Sequence, residues 1–206
     1  CIIPYLNEGL RMITEGIPPS IIESAAKQLG FPLGPIQLVD ETSIELGAKI
    51  ARATRAAMGK SYPNDQIDEI LFWMEDKGRL GRKANAGFFN YNENGKREGF
   101  WTGLQEKYPL SKTTPNLTEV QHRLMFIQAL EAVRALEEGV LMDIREGDVG
   151  AVLGWGFAPW SGGPLSWLDI LGTPYAAERS QELCKTYGPR FDCPPLLADM
   201  GKNNEA

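Results

Sequence analysis

The chain has 206 residues with 21 basic and 27 acidic side chains, a formal net charge of −6, and 43% apolar residues. That length fits one large or two small domains, and the composition is that of an ordinary globular chain, which excludes collagen, coiled-coil and disordered architectures. The negative balance argues against a nucleic-acid surface built on summed positive charge and weakens a polybasic membrane surface, while apolar runs such as Leu124–Ile127 fall far short of the roughly 20 residues of a spanning helix.

The chain opens directly in helical period, without an initiator Met or a signal-peptide n-region, so a preceding domain is expected. Ile3, Leu6, Leu10, Ile13 and Ile17 follow at spacings of three and four, which predicts one apolar helical stripe. Ser20-Ile21-Ile22-Glu23 fits a capping box, and Gly30 supplies a stop. Pro35 sits where a first-turn proline is tolerated, and Val39, Leu46, Ile50, Ala53 and Ala57 continue as a stripe. Ile67, Ile70, Leu71 and Met74 mark a fourth helix. Strand signal is confined to Gly87–Tyr91, and the Gly-, Pro- and Asn-rich segment 92–117 reads as the boundary between two halves.

Adding 123 to the first stripe gives Phe126, Ala129, Val133, Leu136 and Val140, and Glu8, Arg11, Glu15 and Gly16 become Glu131, Arg134, Glu138 and Gly139. The offset grows to 126 at Gly30-Phe31 against Gly156-Phe157, and to 129 at Gly34-Pro35 and Asp40 against Gly163-Pro164 and Asp169. Matched types in order, with small loop insertions, indicate an internal duplication. The expected fold is all-α, with two homologous helical subdomains, 1–100 and 101–206, forming a pseudo-twofold. In the second half Thr118-Glu119-Val120-Gln121 is another capping-box candidate, and Thr173-Pro174 opens a long helix that Gly188-Pro189 closes.

Chemistry is sparse. No GxGxxG follows a strand, and no phosphate loop, GxSxG elbow or HExxH occurs; one histidine cannot build a multi-histidine metal site. His122, in the first turn of its helix, reads as a surface or interface imidazole rather than a general base. Glu8 with Arg11 and Glu131 with Arg134 read as ion pairs. Lys77, Arg79, Arg82 and Lys83 form a basic loop, read as solvated before it is read as a phosphate clamp. The Gly30–Pro35 and Gly154–Pro164 loops, with backbone amides at a helix start, fit a pocket wall and a packing corner equally well. Cys1, Cys184 and Cys193, an odd number without CxxC spacing, disfavour a disulfide framework and favour a reducing compartment, the bacterial cytoplasm first and an organelle second.

Pro4-Tyr5-Leu6-Asn7-Glu8, Glu15-Gly16-Ile17, Gly30 to Pro35, Leu38-Val39-Asp40 and Gly81-Arg82-Lys83 running to Gly87-Phe88-Phe89-Asn90-Tyr91 resemble the C-terminal domain of L-3-hydroxyacyl-CoA dehydrogenases. The second half resembles it too, and tandem copies are typical of the multifunctional α subunit of the fatty-acid oxidation complex. The resemblance implies that NAD and the catalytic His–Glu pair belong to a preceding Rossmann domain, with an Asn-Arg pair just before Cys1. The 123 offset sets His122 and Arg123 opposite that pair, so the second copy is degenerate for catalysis. No catalytic, cofactor-binding or metal-binding residue is therefore expected in these 206 residues. Pro32, Leu33, Gly34, Pro35 and Leu38 are the expected acyl-side wall, acyl-CoA the expected substrate, and the Rossmann domain and a thiolase subunit the expected partners. Relatives commonly carry Gly where Asn85 stands and an aromatic where Leu153 stands. The competing expectation is a stand-alone helical acyl-CoA-binding or scaffold module without catalysis.

Overall fold

A computed structural model describes residues 2–62, 66–113 and 115–203; Cys1 lies outside them. Among the described residues eleven α-helices and one two-stranded antiparallel hairpin occur, so the chain is all-α in class. Its contacts divide it into two compact units, one of Leu6–Ser24 and Leu33–Asn116, the other of Cys1–Tyr5, Ala25–Pro32 and Leu117–Ala206.

The unit containing Leu33–Asn116 takes most of α1 (Ile2–Thr14) and the first half of α2 (Pro19–Gln28). Leu10, Ile13 and Ile17 of the expected stripe are buried, whereas Ile3 is 54% exposed and Tyr5 and Met12 are buried instead. The buried set of α1 spans more than one face, so a single stripe describes it only in part. Helix α3 (Pro35–Thr42) leads into α4 (Ile44–Met58), and the expected stripe holds at Val39, which is buried, but is overturned in α4: Leu46 and Ile50 are each 51% exposed, with Ala53 and Ala57 also outside, while Ile44, Ala48 and Ala51 face the core. Small alanines pack where large residues were expected, because α4 lies close against α5 (Gln66–Asp76), whose Ile67, Ile70, Leu71 and Met74 are all buried as the spacing predicts.

Segment 92–117 is not a bare linker. Strand β1 (Phe89–Tyr91) pairs with β2 (Arg97–Phe100), Phe89 opposite Phe100, around a turn in which Gly95 N–H donates to Asn92 O at 2.8 Å. Trp101 stacks on Trp73 at 5.2 Å, and Tyr108, just after α6 (Gly103–Lys107), meets Trp73 edge-on at 5.8 Å. These rings hold the segment to α5. Asn94-Gly95 is the hairpin signal that composition masked.

In the other unit α7 (Leu117–Glu137) is the central element, with Leu124, Met125, Phe126, Ala129 and Leu130 fully covered. It is joined by α8 (Ile144–Trp155), α9 (Pro164–Leu171), α10 (Thr173–Tyr187) and α11 (Pro195–Asn203). Helix α10 begins and ends where Thr173-Pro174 and Gly188-Pro189 predict. The capping boxes do not form: Ser20 and Thr118 lie inside their helices, and Glu23 and Glu119 have other partners. Arg123 is fully buried with its guanidinium 4.0 Å from the Tyr187 ring centroid.

Candidate functional site: two Gly-Pro corners

Each unit contains an eight-residue helix that starts Gly-Pro and is met at its N-terminus by a buried carboxylate. At α3, Glu23 Oε1 accepts the backbone N–H of Ile36 at 2.8 Å and of Gln37 at 3.1 Å. At α9, Asp148 Oδ1 accepts from Leu165 N–H at 2.8 Å, and Oδ2 from Ser166 N–H at 3.0 Å and from its hydroxyl at 2.6 Å. Pro35 and Pro164 occupy the first turn, where the missing N–H costs nothing. The carboxylates satisfy donors that the helix leaves orphaned and complement its positive end.

The glycines exist for this approach. A Cβ on Gly34 would lie 2.3 Å from the Glu23 carboxyl, and one on Gly163 would lie 2.4 Å from Asp148 Cβ, at a φ of +133° that only glycine tolerates. The helix-start amides are therefore already bound within the protein and are not free to cradle a phosphate. Of the two readings open for these loops, the amides belong to a packing corner.

The five expected wall residues divide accordingly. Gly34 and Pro35 are buried, and α1 passes so near that a Cβ on Gly9 would stand 2.5 Å from Pro35 Cβ. Leu33 and Leu38 are half-buried on the same unit, which leaves apolar surface available there. Pro32 is exposed and belongs to the other unit, where its carbonyl accepts from the Lys27 ammonium and its ring faces Gly156. Beside it Phe31 stacks on Tyr5 at 4.9 Å and meets Phe157 edge to face at 5.5 Å, and Trp160 Nε1–H donates to Leu29 O at 2.7 Å.

Behind the first corner, Asp40 anchors the loop 81–91. Its carboxylate accepts from Phe88 N–H at 2.8 Å, Phe89 N–H at 3.0 Å and the Tyr91 hydroxyl at 2.9 Å. Burial raises the Asp40 carboxyl from its ordinary value, against the lowering by those hydrogen bonds and by Arg79. Burial, then the Asp40 charge, pushes Tyr91 up, so its hydroxyl stays protonated and donating. Arg79 is not a loose basic residue: it donates to Gly87 O at 2.7 Å, Phe89 O at 2.9 Å and Asn90 Oδ1 at 2.8 Å, and lies 4.5 Å from the Trp101 ring centroid. Arg82 binds Glu41 through two contacts of 2.8 and 2.9 Å. Of the basic loop, Lys77 and Lys83 remain as exposed cations whose ammonium groups make no ion pair or hydrogen bond among the described residues. Asn85 takes φ +53°, a left-handed conformation that asparagine tolerates better than most residues other than glycine.

His122 is half-buried. Its Nδ1 accepts from Arg179 Nε–H at 3.1 Å, and its ring meets Phe126 at 5.7 Å. Burial first, then the Arg179 charge, lowers its pKa. Arg179 also binds Glu119 and, at 2.8 Å, Glu182. The imidazole is thus a structural acceptor. Glu8–Arg11 at 3.8 Å and Glu131–Arg134 at 3.5 Å are the ion pairs the spacing predicts. Among the described residues no cluster of metal-ligating groups occurs, and no helix is long and apolar enough to cross a membrane.

Comparison with known proteins places this architecture. Residues 1–91 match the family model of the 3-hydroxyacyl-CoA dehydrogenase C-terminal domain. Over 98% of its length the chain is similar to the crystal structure of 3-hydroxybutyryl-CoA dehydrogenase from Escherichia coli K12, at TM-score 0.72 and 17% identity, covering 58% of that chain. Over 96% of its length it is similar to the dehydrogenase part of multifunctional enzyme 1 from C. elegans, at TM-score 0.70 and 21% identity, covering 45% of that chain. The chain thus spans about half the length of the solved structures it matches.

Proposed function

With a 3-hydroxyacyl-CoA dehydrogenase C-terminal domain over residues 1–91 as the starting point, we propose that this chain is the C-terminal part of an NAD-dependent oxidoreductase of fatty-acid β-oxidation, converting (3S)-3-hydroxyacyl-CoA to 3-ketoacyl-CoA. In this reading NAD would be held by an N-terminal Rossmann domain outside these 206 residues, where it would supply the hydride acceptor, and that domain would also carry the base. The residues described here bind and orient: Leu33 and Leu38 offer an apolar wall, while Gly34 and Pro35 fix the corner that carries them. The observation that carries the reading is this corner, whose carboxylate-bound amides leave apolar contact as the chemistry on offer, within the segment that matches the family.

We further read the two halves as duplicates of one helical domain. The twin carboxylate-capped Gly-Pro helices and the matched Glu-Arg pairs support this. A thiolase subunit would consume the 3-ketoacyl product. Free thiols at Cys184 and Cys193 suit the bacterial cytoplasm.

The test is oxidation of NADH by 3-ketoacyl-CoA, with the product of the whole reading frame and with these 206 residues alone. Activity confined to the whole product, with KM for long-chain substrates raised about tenfold by Leu38→Glu, supports the reading. A whole product that binds acyl-CoA without turnover overturns it in favour of a binding module.

A further inference from the structure

The sixth residue of each Gly-Pro helix is an aspartate, Asp40 in α3 and Asp169 in α9, and the two have opposite fates. Asp40 is fully buried and receives three donors from loop 81–91. After α9 the chain runs into α10 and α11 and supplies no such loop. Among the described residues the Asp169 carboxylate receives no hydrogen bond or ion pair. Beside Asp169 lies a cavity of about 100 Å³. Its walls are Val133 and Leu136 of α7, Leu165 and Leu168 of α9, and Leu197 and Met200 of α11, while Asp169 and Thr173 supply its polar side.

We propose that this cavity binds a short unbranched aliphatic chain bearing a cationic, hydrogen-bond-donating head, the chain between α7, α9 and α11 and the head on Asp169. The cavity is open on one side, and an aliphatic guest gains by leaving water for its apolar walls; an engineered cavity of about 150 Å³ holds benzene, so about 100 Å³ suits roughly four carbons. Asp169 lies at the exposed side, where a head group keeps its hydration on one face. The neighbouring Asp148 charge adds to burial in raising the Asp169 carboxyl, and a cation beside Asp169 offsets that repulsion whereas an anion adds to it. The site is separate from the Gly-Pro corner of α3 and does not depend on the function proposed above.

The experiment is a methyl NMR titration of the 206-residue chain with n-butylammonium, n-butanol and butanoate. Saturable shifts are expected for Val133, Leu165, Leu168 and Leu197, with millimolar-order affinity for butylammonium. Affinity should be at least fivefold weaker for butanol and weakest for butanoate. Asp169→Asn, a change at an exposed side chain, should erase the preference for the amine over the alcohol, and Met200→Phe should abolish binding by filling the space. Butanoate binding as well as the amine, no saturable shift at these methyls, or shifts that persist in a folded Met200→Phe protein would each overturn the proposal. Should Met200→Phe not fold, Asp169→Asn alone decides.

Discussion

The rings of Phe31 and Phe157, related by the 126-residue offset, meet edge to face with centroids 5.5 Å apart, and both are buried. Edge-to-face pairs contribute about 0.5–1.5 kcal/mol beyond area burial, and truncating a buried Phe to Ala costs about 3–5 kcal/mol. Phe31→Ala and Phe157→Ala should each destabilise on that scale in urea unfolding. The double variant should fall short of the sum by the pair's coupling, and strict additivity would show that the rings do not interact.

Glu23 and Asp148 serve their helices in the same way, so their removal should cost alike. Glu23→Ala and Asp148→Ala each leave two backbone donors without a partner, at about 1–3 kcal/mol. Glu23→Gln keeps an acceptor and should lose less than half as much. A Gln variant as damaging as the Ala variant would mean that charge, not hydrogen bonding, dominates.

Gly163 and Gly172 both have positive φ, at +133° and +85°, but only Gly163 has a neighbour in the way of a Cβ. Gly172→Ala should cost about 1–2 kcal/mol from backbone strain alone. Gly163→Ala adds overlap with Asp148 and should cost roughly 3 kcal/mol or more. Equal losses in thermal unfolding would contradict the close approach.

Asp40→Asn places an amide against donors that need an acceptor, and should destabilise by about 1–3 kcal/mol. Asp169→Asn, which disturbs no hydrogen bond among the described residues, should stay within about 0.5 kcal/mol of the parent protein. Comparison of the two midpoints in denaturant tests whether the two aspartates differ as the structure has them.

His122 has a folded pKa below its ordinary 6.5, so the unfolded chain takes up the proton more readily. Its contribution to stability is full above about pH 6.5 and is lost as pH falls through the folded value. His122→Asn, which keeps an acceptor near Nδ1 for Arg179 but does not titrate, should flatten the fall in stability below about pH 6.5. An NMR titration of the ring with a midpoint at or above 6.5 would refute the assignment.

Much of this was legible in the sequence, and the exceptions share a cause. The i, i+3, i+4, i+7 pattern of Ile67 to Met74 and the Thr173-Pro174 start are local signals that survived, whereas the capping boxes at Ser20 and Thr118, equally local, did not form. Leu46 and Ile50 misled because periodicity shows that a stripe exists but not which side is covered, and the small residues Ala48 and Ala51 took the covered side. Glu23 was legible as a capping residue, but of the wrong helix: its partners lie 13 and 14 residues on, beyond the reach of a local rule. Hairpin β1–β2 was hidden in a polar stretch whose Asn94-Gly95 pair outweighed its composition. In the candidate site, the apolar character of Leu33 and Leu38 could be read, whereas the capture of the neighbouring amides could not, because it depends on a tertiary approach that Gly34 alone hints at.

The unit that contains Leu117–Ala206 also contains Cys1–Tyr5 and Ala25–Pro32. Tyr5 and Phe31, ring partners within that unit, are therefore encoded more than eighty codons ahead of the rest of it. A gene split at codon 116 does not yield two self-sufficient products, since the downstream product would carry Phe157 without Phe31. Recombination can shuffle beads on a string, but here an exchange of the second half would have to preserve two short stretches of the first, which ties the histories of the halves together after any duplication that made them.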